Sequence, residues 1–193
     1  ALNPKWGASN DVANTVQFRF KTPGIPNPTQ FSQSLWSIND ASPTVVLEYT
    51  GSALVSGSYS GSISDPHNTY ATLKFIPDGT DQSISASLYL PFFDGGWWST
   101  MITVDSDLTA SLYAGNKIYN GKDGTSIGYF SQSSTPAAGW LDAITGQSYF
   151  ARTGLSGYTN FSGSIQEIRY YSPLISESIF KDYIMNPLSI EGN

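Results

Sequence analysis

The chain has 193 residues, with nine Lys or Arg against fifteen Asp or Glu, a formal net charge of −6, a single His and no Cys. That length suits one large all-β domain spanning residues 1–193 with a core of its own. Lack of Cys removes disulfides, thiol nucleophiles and Cys-based zinc sites, and a single His removes His-rich metal centres. A negative chain without a run of Lys and Arg repels phosphate backbones, so nucleic acid is not an expected partner, and anionic membrane surfaces are disfavoured.

From the N-terminus, no basic-then-apolar leader opens the chain and no apolar run reaches the ~18 residues of a membrane span, so no membrane insertion is expected. Starting at Ala1 rather than Met suggests a processed product or an excised domain. Short runs of β-branched and aromatic residues then alternate with polar ones, which is the period of a strand. They predict strands at Thr15–Lys21, Ser34–Ile38, Thr44–Thr50, Tyr70–Ile76, Ile84–Leu90, Trp98–Val104, Thr109–Ala114, Ser126–Phe130, Gln147–Arg152 and Phe161–Tyr171. In the first, Val16, Phe18 and Phe20 share one face and Gln17, Arg19 and Lys21 the other, as in a half-buried strand. Ser/Gly-rich Val55–Asp65 reads as a flat hairpin.

Turn signals fall between the runs at Pro23-Gly24, Asn39-Asp40, Asp78-Gly79, Gly95-Gly96, Gly115-Asn116, Asp123-Gly124 and Gly154 to Gly157. Many strands with short links and no helical crossovers predict an all-β, two-sheet antiparallel sandwich or jelly roll, with parallel pairing disfavoured. One helix is predicted near the C-terminus, over Ser176–Asn186. Ser176 is its N-cap, Ile175 and Phe180 are its hydrophobic staple, and Pro187 is its stop. Ile179, Phe180, Tyr183 and Ile184 form the stripe that docks on the sandwich.

The segment FSGSIQEIRYYSPLISESI (161–179) resembles the closing signature of concanavalin A-like, laminin G-like domains, through Phe161, Gly163, Ile165, Glu167, Ile168, Arg169 and Tyr171. A second block, WWSTMITVDSDLTASLYAGNKI (97–118), is similar to the family through Trp98, Val104, Asp105, Leu112, Tyr113, Gly115 and Lys117. VQFRFKT followed by SLWSI matches the opening strand pair more weakly. Departures are Ser99 where the family has His and Ala114 where it has an acid. The resemblance implies a concanavalin A-like jelly roll that serves as a recognition module in a larger extracellular or virion-surface protein. It also makes calcium the one cofactor to consider, at Asp65 with Asn68, Asp105 with Asp107, or Asn39 with Asp40, since hard cations take oxygen ligands. Acidic pairs in turns also form Asx-turns. Read from the residues alone, the 161–171 motif is scaffold: Gly163 admits a neighbouring backbone, and Glu167 and Arg169 form a charged ladder.

No enzyme is expected. A glycoside hydrolase needs two facing carboxyl groups, yet Glu48, Glu167, Glu177 and Glu191 are scattered. His67, the single base available to a serine nucleophile, lies in a Ser-Asp-Pro-His-Asn turn, without a G-x-S-x-G elbow. Binding is the better prospect. Sugars stack on exposed aromatic planes beside groups that bond hydroxyls. Two segments have that make-up: Pro91–Trp98, with Phe93, Asp94 and Trp97, and Ser134–Gly146, with Trp140 and Asp142. Phe92 and Trp98 are assigned to the core, leaving Phe93, Trp97 and Trp140 at the rim. The expected ligand is a glycan or a protein surface. The alternative is a structural surface domain of a virion or other large assembly. Asn160-Phe161-Ser162 is a glycosylation sequon in the turn before the last strand.

Overall fold

The computed structural model describes residues 5–6, 15–23, 31–39, 43–49, 54–56, 62–64, 69–77, 85–107, 109–134 and 144–189. In chain order the strands are β1 (Lys5–Trp6), β2 (Thr15–Lys21), β3 (Phe31–Ile38), β4 (Thr44–Tyr49), β5 (Leu54–Ser56), β6 (Ser62–Ser64), β7 (Ala71–Ile76) and β8 (Ala86–Leu90). They continue with β9 (Trp98–Val104), β10 (Ala110–Tyr119), β11 (Thr125–Ser134), β12 (Ile144–Thr145), β13 (Ser148–Phe150), β14 (Thr159–Asn160) and β15 (Ser164–Tyr171), and helix α1 (Glu177–Met185) follows. The architecture is an all-β sandwich with one short C-terminal helix. One sheet has the order β11-β10-β9-β2-β15 and the other β13-β3-β4-β7-β8, with β14 added against β3. Pairing is antiparallel except for the two residues of β14, which run parallel to β3. The expected hairpin at Val55–Asp65 is present as the antiparallel pair β5–β6.

Period-2 alternation builds the core. Val16, Phe18 and Phe20 of β2, Trp98, Ile102 and Val104 of β9, and Leu112 and Ala114 of β10 turn inward. There they meet Leu35, Trp36, Val45, Leu47, Leu73, Phe75 and Leu88 from the other sheet. Each large apolar side chain removed from water contributes ~1.5–3 kcal/mol. A polar clasp also spans the two sheets: the Trp36 indole Nε1–H donates to Ser148 Oγ (2.7 Å) and to Tyr170 Oη (2.9 Å). Burial raises the Tyr170 pKa, while the hydrogen bonds to Ser148 and Trp36 pull it back.

Part of the outer face of the five-stranded sheet, around Met101, is covered as well, which corrects the half-buried reading of β2. Thr15 and Gln17 are buried, and every residue of β9, the central strand, is buried. The cover is α1. Ser176 Oγ accepts the Ile179 amide at its N-terminus (3.4 Å). Phe180 and Ile184 then pack on Met101, flanked by Tyr113, Ile127, Tyr129 and the staple residue Ile175.

Two local expectations change. Gly115-Asn116 is not a turn: β10 runs straight through to Tyr119, and the reversal comes at Asn120–Gly124, where Gly121 (φ +63°) and Gly124 (φ +90°) take left-handed backbone. Gly115 serves packing instead, since a Cβ there would lie 2.3 Å from Ile184 Cδ1 and 2.7 Å from the Gly128 carbonyl. The alternation of the last strand is also broken by a bulge between Gln166 and Arg169, with Glu167 at φ +54°. Ile165 and Tyr170 therefore both pack toward the core, whereas Arg169 and Tyr171 reach α1. The backbone approach expected at Gly163 is present: a Cβ there would meet the Lys21 carbonyl at 2.5 Å.

Candidate functional site

Between β8 and β9 the chain stops being extended, and the aromatic run Pro91–Trp98 divides according to what each side chain reaches. Phe92 is fully buried, its ring centroid 4.8 Å from that of Trp98 and 5.6 Å from that of Phe20. Phe93 is buried too, at 4% exposure, against Tyr49. Its expected place on the rim is therefore corrected. In a turn two successive residues can both face inward, and the Phe93 amide is held by the Thr69 carbonyl (2.9 Å). Asp94 is exposed, but its carboxylate organises the turn. Oδ1 accepts from the Gly96 amide (2.7 Å) and from Trp98 Nε1 (3.2 Å), and Oδ2 accepts from Asn116 Nδ2 (3.4 Å). Gly95, at φ +77°, supplies the left-handed step that the turn needs.

Trp97 goes the other way. Trp98 pairs with Phe20 and with Asn116, so Trp97 falls one step further on, in the row of Lys21 and Lys117 on the outer face of the sheet. It is partly exposed, and the Arg19 guanidinium lies over its ring, 5.4 Å from the centroid. Arg19 is itself half buried. Burial is the main cause holding its pKa below the usual range; Glu167 pulls it upward and Arg169 lowers it further. The Glu167 carboxylate is bonded to Arg169 (3.1 Å). Arg169 in turn stacks over Tyr183 (4.7 Å to the centroid) and donates to the Pro187 carbonyl. Tyr119, 78% exposed, completes the edge of this surface within electrostatic reach of Arg19.

Compared with known proteins, the chain matches no protein-family model and no curated protein.

The other candidates separate as follows. Trp140 and Asp142 lie outside the described residues, as do His67, Asp65, Asn68 and Asp40. Asp105 Oδ1 accepts the Asp107 amide (3.0 Å) and the Thr109 amide (2.8 Å), which makes it a turn-forming acid. Asn39, at φ +55°, bonds the Gln147 amide through its Oδ1 (3.0 Å). Among the described residues no three acidic or His side chains are grouped to hold a metal ion. Asn160 is exposed in β14 rather than in a turn, and its Oδ1 accepts the Thr153 amide (3.2 Å). Among the described residues no helix is long and apolar enough to cross a membrane. Arg19 is the residue that sequence reasoning missed. In the sequence it is one polar position on an outer face, and its partner Trp97 lies in a distant segment.

Proposed function

We propose that this chain is a non-catalytic recognition or adhesion module of the concanavalin A-like, laminin G-like type. It takes a glycan or a protein surface as ligand, as part of a larger extracellular or virion-surface protein. The two-sheet antiparallel sandwich and the 161–179 and 97–118 segments support the family assignment. The observation that carries the function is Trp97, a partly exposed indole on the outer face of the five-stranded sheet with a guanidinium fixed over it. An aromatic plane beside fixed donors is the pairing that saccharide C–H faces and hydroxyls select. Trp140 with Asp142 remains a second candidate locus of the same kind. The rival reading, a packing domain of a virion or other large assembly, draws on Tyr119 and Leu188, 78% and 77% exposed. A glycan array probed with the wild type, Trp97→Ala and Trp140→Ala tests both. Specific binding lost in Trp97→Ala supports the module at this face, and loss only in Trp140→Ala moves it to the 134–146 segment. Binding to no glycan favours the packing domain.

A further inference from the structure

Asn-x-Ser/Thr with x other than Pro occurs once in the chain, at Asn160-Phe161-Ser162; Asn27-Pro28-Thr29 has the spacing but carries the excluded Pro. In the fold this tripeptide divides by face. Phe161 is buried, its ring edge-on to Phe20 with 6.1 Å between centroids, while Asn160 and Ser162 on either side of it are exposed. The core thus holds the middle residue and turns the amide and the hydroxyl outward. The Asn160 amide is also oriented. The Thr153 N–H faces it at 3.2 Å, and a donor is met by an acceptor, so Oδ1 is the atom turned toward Thr153. Nδ2 is at the other end of the same plane and donates to no described residue.

We infer that Asn160 is an N-glycosylation site, with Nδ2 carrying a glycan that projects from β14. The donor is an oligosaccharide on a polyprenyl diphosphate. Its anomeric C1–O bond breaks, a C1–N bond to Nδ2 forms, and the lipid diphosphate leaves with the proton that Nδ2 gives up. Phe161 is buried in the fold, so transfer precedes folding and the folded chain has only to accommodate the product. It does so without loss: the sugar replaces one hydrogen on Nδ2, and Oδ1 keeps its bond to Thr153. Neighbouring residues are small and exposed, among them Gly154, Ser156, Ser162 and Gly163, and a Cβ at Gly157 would meet nothing within 4 Å. Among the described residues β14 pairs with β3 alone, so the glycan covers an open sheet edge of the kind that otherwise invites pairing with another chain. The site shares with the proposed function only its placement outside the cell. It needs no ligand, and it belongs to the six-stranded sheet, whereas Trp97 is on the five-stranded one.

The test is secretion of the full chain from cultured human cells behind a cleavable leader, followed by intact and peptide mass spectrometry. Most wild-type chains carry a glycan at Asn160. Peptide N-glycosidase releases it from the native protein without denaturant, leaving a carboxylate that marks position 160. Asn160→Gln and Ser162→Ala both lose it entirely, and Ser162→Thr keeps it. Ser162→Ala leaves the Asn160 side chain and its bond to Thr153 in place, so it separates loss of the site from loss of the fold, and thermal melting checks each variant. Pro28→Ala opens Asn27 as a second acceptor in the same chain. Secreted protein with Asn160 bare, above all beside a glycosylated Asn27, overturns the inference, as does a glycan confined to aggregated material or one whose enzymatic removal raises the melting temperature. Each of those results leaves ligand recognition at Trp97 untouched.

Discussion

Gly115→Ala measures how firmly α1 is seated. The φ of Gly115 is not in the left-handed region, so Ala is allowed by the backbone, and in open space it would be neutral or stabilising. Here the new Cβ would stand 2.3 Å from Ile184 Cδ1 and 2.7 Å from the Gly128 carbonyl. Carbon atoms rest at about 3.5–4.0 Å, so the Ile184 tip must retreat by roughly 1.2 Å or more. Ile184 is 1% exposed and has little room to do so. Overpacking of this kind costs about 1–3 kcal/mol, and the backbone carbonyl places Gly115→Ala in the upper half of that range. Ile184→Val deletes the colliding Cδ1 and by itself costs about 0.5–1.5 kcal/mol. The double variant therefore falls short of the sum by about 1 kcal/mol, with the Gly128 contact as its residue. Urea unfolding reads the three values, and melting shifts of about 2–4 °C per kcal/mol provide a check. Additivity within about 0.5 kcal/mol, or a Gly115→Ala variant as stable as the wild type, would refute the seating of the helix on this glycine.

Ser176→Ala removes the oxygen that accepts the Ile179 amide and lowers stability by about 1 kcal/mol in urea unfolding; no change would remove Ser176 as a cap. Asp94→Ala frees the Gly96 amide and Trp98 Nε1 and costs about 1–3 kcal/mol without any ligand present, whereas unchanged melting would assign the carboxylate to some other role. Tyr158 is raised to about 12, by burial first and then by Glu48. The folded state thus keeps its proton longer than the unfolded chain, whose tyrosines titrate near pH 10. Stability from this group is full below about pH 10 and is lost as pH rises through about 12. Tyr129 and Tyr171 are shifted in the same direction, chiefly by burial. Melting temperature against pH should therefore fall less steeply in Tyr158→Phe, and parallel curves would contradict this. Asp105→Asn keeps an acceptor for the Asp107 and Thr109 amides and so leaves melting unchanged with or without calcium. A calcium-dependent rise in the wild type that the variant loses would make Asp105 a ligand.

Strands β2 and β9 are legible to the residue, because the alternation of the one and the β-branched and aromatic run of the other, each bounded by turn residues, are local properties. The helix is legible for the same reason, its cap, staple and stop all lying within a dozen residues. What escapes sequence reading depends on partners far along the chain. Gln17 looks exposed, yet it is buried between Met101 and Arg169, its register partners on strands distant in sequence. Gly115 looks like a turn because the side chain it makes room for, Ile184, belongs to α1. Glu167 carries no sign of its left-handed backbone, which belongs ordinarily to Gly or Asn, so the change of face after Ile165 goes unseen. At the candidate site, composition marked out the Pro91–Trp98 aromatics but could not divide them. Phe93 turns inward against Tyr49, and Trp97 lies under Arg19 where the register of β2 and β9 brings the two together; both partners are far away in sequence.

The hydrogen bond from Arg169 to the Pro187 carbonyl also determines how tension travels. A pull on the chain beyond Ser189 reaches Pro187 first, and the bond passes it sideways into Arg169 and so into β15, which is joined along its length to β2. While that bond holds, α1 sits outside the force path and stays on its sheet. Once it parts, the helix becomes the next segment to bear the strain, and peeling it away would bare Met101 and the rings of Tyr113 and Tyr129. One guanidinium thus separates a loaded, intact face from an opened one.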